Sequence, residues 1–206
     1  SGRNVAITDE DAIDLGAATV SGTYSVTAGG AITDSGTQEI TGVTTLAAGS
    51  GNDITLDIST NNFAAAVVIT SGNNVAITDE DAIDLGAATV SGTYGITAGG
   101  AVTDSGTQEI AGVATISASG QDVTLNTSTN NFADEVRITG AAVTVVDEDA
   151  IVLGASTVSG TYSVTAGGAI TDSGTQEITG VTTLAAGSSN DITLDISTNN
   201  FAAAVG

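Results

Sequence analysis

The sequence predicts an all-β fold, a right-handed parallel β-helix (β-solenoid) of about three coils per ~70-residue repeat and about nine coils in total. Three observations predict it. The string VSGTYSVTAGGAITDSGTQEITGVTTLAAGS runs from Val20 to Ser50 and recurs unbroken from Val158 to Ser188, with a diverged version opening at Val90. Short runs of β-branched residues alternate apolar and polar positions with period two, and no stretch has a helical period. Gly, Asn, Asp and Ser punctuate those runs too often for a helix to fit between them.

The long period comes first. NVAITDEDAIDLGAATVSGTY starts at Asn4 and again at Asn74, while Asp79 recurs as Asp147, a step shorter by two residues. One residue is lost where LAAGSGNDITL (Leu46 to Leu56) becomes ISASGQDVTL (Ile116 to Leu125). The other is lost where TSGNNVAITD (Thr70 to Asp79) becomes TGAAVTVVD (Thr139 to Asp147). Both losses are read as loop deletions, because the stretches are rich in Gly, Ser and Asn. The chain is therefore one solenoid domain of three repeats, approximately 4–73, 74–141 and 142–206, read as a fragment of a longer array without capping repeats.

Within the first repeat three coils are expected: Asn4 to Thr23, Tyr24 to Gly51 and Asn52 to Asn73. Each opens on an alternating run: Val5 and Ile7; Tyr24 and Val26; Ile54, Leu56 and Ile58. Later runs such as Val43 with Leu46, and Val67 with Ile69, supply the remaining strands of their coils. At the ~4.8 Å spacing of paired strands, about nine coils make a rod roughly 43 Å long. Right-handed winding is the expectation for parallel crossovers.

Composition fits this reading. The 206 residues contain no Pro, as expected if strand amides are needed in ladders on both sides. The 27 Gly suit corners, and a narrow interior accounts for only 3 Tyr and 3 Phe. There are 24 Asp and Glu against 2 Lys and Arg, a net charge of −22. Nucleic acid and anionic membranes are therefore not expected as partners, since both call for a basic footprint. With 41% hydrophobic residues the chain is not a disordered acidic tail. No His and no Cys leaves neither the commonest general base nor a thiolate nucleophile or metal site. No apolar run reaches the ~18 residues of a membrane span, so no membrane insertion is expected. Ser1 begins in mid-pattern, so targeting segments are expected outside this stretch.

Several phrases carry a resemblance: Ala28 to Gly36, Gly49 to Leu56 and Asn62 to Leu85. In their order, TAGGAITDSGTQEITGVTTLAAGSGNDITL followed by NNFAAAVVITSGNNVAITDEDAIDLGAATVSG, they are similar to the repeat arrays of filamentous haemagglutinin-family exoproteins. These are bacterial surface adhesins, many exported by two-partner secretion. The resemblance covers nearly the whole chain. It implies a right-handed β-helical shaft, a secreted or bacterial cell-surface location, and an adhesive or stalk role. This stretch lacks the family's secretion domain and any tip domain.

Five motifs are candidates for chemistry. DEDAID places acids at Asp9, Glu10, Asp11 and Asp14, again at Asp79, Glu80, Asp81 and Asp84, and at Asp147, Glu148 and Asp149 with Val152 in the fourth place. Alternating acids supply oxygen ligands for Ca²⁺, so Asp9, Asp11, Asp79, Asp81, Asp147 and Asp149 are the metal candidates. A solvated corner is the favoured reading, with Ala28-Gly29-Gly30 expected over Asp9-Glu10-Asp11 and Ile58-Ser59-Thr60 as the type beneath. GSGNDITL echoes a Ca²⁺-binding nonapeptide but is not tandemly repeated, and reads as a turn.

Asp34 with Asp14, one coil apart, is a conceivable glycosidase pair; it recurs at Asp104 with Asp84 and breaks at Asp172 with Val152. In STNNF, Asn61, Asn130 and Asn199 are expected at corners, bonded to neighbouring backbone, and Phe63, Phe132 and Phe201 in the core. Tyr24, Tyr94 and Tyr162 are read as structural, with a phenol at an edge as the alternative. Thr is abundant but irregularly placed, and ice binding is kept only as a remote alternative.

The function expected is a structural and adhesive shaft segment: a rigid, acidic stalk presenting a distal activity, not an enzyme, with no cofactor. Host or neighbouring-cell surface glycans or proteins are the partners implied if the flank binds through repeated weak sites. Uncapped ends would stack head to tail. The enzyme alternative is a β-helical polysaccharide hydrolase or lyase, and the metal alternative is a Ca²⁺-rigidified solenoid.

Overall fold

The computed structural model describes residues 1–206: twenty-eight strands, no helix, and parallel pairing throughout. Alternation dictates the local structure. In Tyr24–Ala28 the side chains of Tyr24, Val26 and Ala28 are buried while Ser25 and Thr27 are not. Ile54–Leu56 buries its two ends likewise. The inward residues of successive coils form one continuous aliphatic core running the length of the chain.

Register shows how the coils stack. Val5 lies beside Tyr24, Tyr24 beside Thr44, and Thr44 beside Val67. The first sheet holds ten layers: Val5–Asp9, Tyr24–Ala28, Thr44–Ala47, Val67–Gly72, Ile83–Val90, Val102–Asp104, Val123–Leu125, Val143–Asp147, Tyr162–Ala166 and Thr182–Ala185. A second sheet also holds ten, from Ile13–Leu15 to Ile192–Thr193. Ala18–Val20, Gln38–Ile40 and Asn62–Phe63 close the third side of the first three coils.

The solenoid therefore has about ten turns, where the repeat count predicts nine. The third coil begins at Thr44, not at Asn52. The strand Val67–Gly72 is not the end of that coil; it lies on Thr44–Ala47 and starts a fourth layer. Each repeat thus makes about three and a third turns, and the next starts one side later. Val75–Asp79, the counterpart of Val5–Asp9, rests on Ile54–Leu56 rather than on the side its counterpart occupied. The long strand Ile83–Val90 then crosses the whole of Val67–Gly72 and supports two strands above, Val102–Asp104 and Gln108–Ile110. The second junction repeats this: Glu135–Gly140 supports both Ile151–Leu153 and Ser156–Val158.

The two one-residue losses differ in kind. The first falls in the Gly49–Asn52 turn, where the Asn52 N–H donates to the Gly49 carbonyl and Gly49 adopts a φ of 82°. The second is not in a loop. Val67–Gly72 slips register between Ile69 and Ser71 against its lower neighbour, whereas Glu135–Gly140 pairs from Val136 to Thr139 without a slip. The extra residue of the first repeat is a β-bulge, which a strand accommodates at a bend.

Candidate functional site

The acidic corners occupy two environments. Asp9, in the first coil, accepts one bond, from the Asp11 N–H at 2.9 Å. Asp79 and Asp147 sit at repeat junctions and are 2% exposed. Asp79 accepts the Asp81 N–H on one oxygen and the Phe63 N–H of the coil beneath on the other, both at 2.8 Å. Asp147 does the same with Asp149 and Phe132, at 2.8 and 2.9 Å. Burial pushes both carboxyls above the ordinary range, and the two backbone N–H groups pull each part of the way back.

The layer beneath Asp79-Glu80-Asp81 is Asn61 to Phe63, not Ile58 to Thr60: the Glu80 N–H donates to the Asn61 carbonyl, and Asn62 Nδ2 donates to Asp81 at 3.2 Å. At the junction the third side of the solenoid shrinks to this corner. The layer above is the one expected, with Ala28 over Asp9 and the Gly29 and Gly30 N–H groups donating to the Asp9 and Asp11 carbonyls. That layer has to be glycine. A Cβ on Gly29, Gly99 or Gly167 would stand 2.0, 2.1 or 1.9 Å from the carbonyl oxygen of Glu10, Glu80 or Glu148.

Asp34 stacks on Leu15, and Asp14 on Thr33, so the two acids are offset by one register position. The Asp34 carboxylate is spent on the coil above, accepting the Asp57 N–H at 3.2 Å and Asn61 Nδ2 at 2.6 Å. Asp104 holds Asn126, Thr127 and Asn130, and Asp172 holds Asp195 and Asn199, in the same way. Asn61, Asn130 and Asn199 return a bond downward through Oδ1, from the N–H of Gln38, Gln108 and Gln176. Phe63 and Phe132 fill the core, as STNNF suggests. Tyr94 and Tyr162 are fully buried, and burial raises their phenols. In GSGNDITL, Asp53 accepts the Asn74 N–H and both Asn73 and Asn74 side-chain amides, which holds its carboxyl below the usual range.

One arrangement has no counterpart among the sequence motifs. Of four depressions on the surface, three are the same place in successive repeats. In the first, of about 270 Å³, Thr19, Glu39 and Asn62 stack in register across three coils beside Ile40, Thr41 and Ala64. The second, about 300 Å³, has Thr89, Glu109 and Asn131 in register, and the third, about 180 Å³, has Thr157, Glu177 and Asn200. Because each repeat starts one side later, the three rows belong to three different sheet columns. The signal is in the sequence, as a Thr, a Glu and an Asn kept at equal places in every repeat. Only the register brings them into one row.

No group of three or more acids is arranged to hold a metal ion. No curated protein and no solved structure matches the chain. A family profile described as "Repeats of unknown function (DUF5649)" matches residues 2–70, 72–139 and 140–206, one match per structural repeat. Those matches cover nearly the whole sequence, and the chain belongs to this family of repeats of unknown function (DUF5649).

Proposed function

We propose that the chain is a shaft segment of a larger bacterial surface or secreted protein of the filamentous haemagglutinin type, a stiff acidic spacer that carries a distal activity outward. The observation that carries this reading is the unbroken stack of ten layers, in which each repeat adds rise without adding a singular cleft. Main-chain ladders bear the load: 125 backbone–backbone hydrogen bonds stand against one salt bridge, Glu135 with Arg137. A net charge of −22 opposes sideways association of such rods. No step of this role is catalytic, and no cofactor enters it.

The test has two parts. Antibody labelling of intact, unpermeabilised producing cells should find the chain outside. Sedimentation and small-angle scattering of three-repeat and six-repeat proteins should show particles that lengthen in proportion while their cross-section stays constant. A compact six-repeat particle, or a chain found only inside the cell, ends the proposal.

A further inference from the structure

We propose that the three Thr–Glu–Asn grooves are binding sites for a primary ammonium on an aliphatic stem, specifically a lysine side chain of a partner protein. The inference is independent of the shaft reading, since a spacer that binds nothing along its flank is still a spacer.

The groove presents acceptors. Glu39, Glu109 and Glu177 are exposed carboxylates at the centre of each row. In the first groove the Asn62 amide nitrogen already donates to Glu80 at 3.4 Å and Asp81 at 3.2 Å. In the third, the Asn200 amide nitrogen donates to Glu177 at 3.1 Å. In the first and third grooves the chain's own acids take up these amide N–H groups, which leaves Asn Oδ1 and the Glu carboxylate as acceptors beside a Thr hydroxyl that can accept as well as donate. A ligand that only donates matches such a set, and an ammonium has three N–H groups and no acceptor. The methyl groups of Ala64, Ala133 and Ala202 beside the rows suit the methylenes of its stem.

Charge decides between ligands of similar size. The chain carries 24 acids and only Arg3 and Arg137 as cations, and Glu135 holds Arg137. Arg3 makes no salt bridge, so neither cation of the chain pairs with a groove carboxylate, and the acidic surface disfavours uronates, sialates and phosphates. One groove of 180–300 Å³ admits one side chain. The three grooves face different ways around the solenoid, so a short polyamine cannot bridge them. Each is a single weak lysine site, and a partner with several surface lysines gains by rebinding among them.

The experiment is an ¹H–¹⁵N titration of the intact protein at low ionic strength. The probes are Nα-acetyl-lysine-N-methylamide, its Nε-acetylated form, spermidine and methyl α-glucoside. Saturable shifts confined to the three rows are expected from the lysine derivative, and none from its Nε-acetylated form. The variant Glu39→Gln/Glu109→Gln/Glu177→Gln should lose about fivefold in affinity, as for one exposed ion pair per site. Asp57→Asn/Asp191→Asn/Asp195→Asn removes the same charge outside the grooves and should lose less than about twofold, the effect of screened distant charge. Shifts spread evenly over all acids, equal losses in the two variants, equal shifts from the glucoside, or spermidine binding without preference for the rows would each overturn the assignment. The unaltered protein's titration is decisive even if a variant folds poorly.

Discussion

The Asp79 carboxylate accepts the backbone N–H of Phe63, sixteen residues earlier in the chain and one layer beneath, at 2.8 Å. Asp147 and Phe132 repeat the contact at 2.9 Å. At these two points the third side of the solenoid narrows to a corner, and an N–H that a strand would have satisfied is satisfied by a side chain instead.

Asp79→Ala removes that acceptor and the one for Asp81. It is expected to destabilise the protein by about 2–3 kcal/mol, the cost of leaving a buried N–H unpaired. Asp9→Ala, whose residue is less buried and has only the Asp11 bond, should cost less than about 1 kcal/mol. Denaturant midpoints of the two variants at neutral pH check the difference; equal losses would deny the junction its special role.

Glycine at the layer above each acidic corner is a steric requirement. Gly99→Ala places a Cβ against the Glu80 carbonyl and should cost upwards of about 2 kcal/mol, because the obstructing atom is backbone and cannot swing away. Gly95→Ser should stay within about 0.5 kcal/mol. Its Cβ meets nothing nearer than 3.7 Å, and the equivalent positions are already Ser25 and Ser163. Thermal melts of both variants provide the comparison.

Acid should stabilise. The carboxyls of Asp79 and Asp147 are raised from the ordinary 3.8 by burial, so the folded chain holds these two protons to a higher pH than the unfolded chain does. Their contribution is full below the unfolded value and is lost as pH rises through the raised folded value. Lower self-repulsion acts in the same direction. Unfolding free energy should therefore increase as the pH falls through the raised folded values of these two carboxyls. Asp79→Asn/Asp147→Asn should flatten that dependence; a slope unchanged in the double variant would place the effect elsewhere.

Calcium should leave stability unchanged. Asp79 and Asp147 are the best enclosed of the six acids considered as ligands, and both oxygens of each already accept backbone N–H groups. Ca²⁺ needs about six to eight oxygens, and neither corner gathers even three acids around one point. Melting temperatures in EDTA and in millimolar Ca²⁺ should coincide, and a rise of several degrees with Ca²⁺ would restore the metal reading.

The strands and their parallel stacking were legible because alternation and long-range repetition are both properties of the string. Phe63 could be placed in the core, and Asn61 at a corner, for the same reason. The side-shift at each junction was not legible. Val67 and Ile69 alternate just as the runs before them do, and nothing local says that they begin a new layer instead of finishing an old one. The bulge at Thr70 and Ser71 hid for a related reason: Thr, Ser, Gly and Asn together read as a loop, yet Val67–Gly72 is held as a strand by neighbours above and below. Asp34 looked like half of a catalytic pair because its bond to Asn61 spans one coil and an offset in register. The Thr–Glu–Asn rows were invisible until register was known, since their members lie about twenty residues apart in the chain.

The side-shift at the junctions ties length to direction. An array that grows or shrinks by a single repeat not only changes its length but also turns its end face through roughly one third of a revolution, and only gains or losses in threes restore the original bearing.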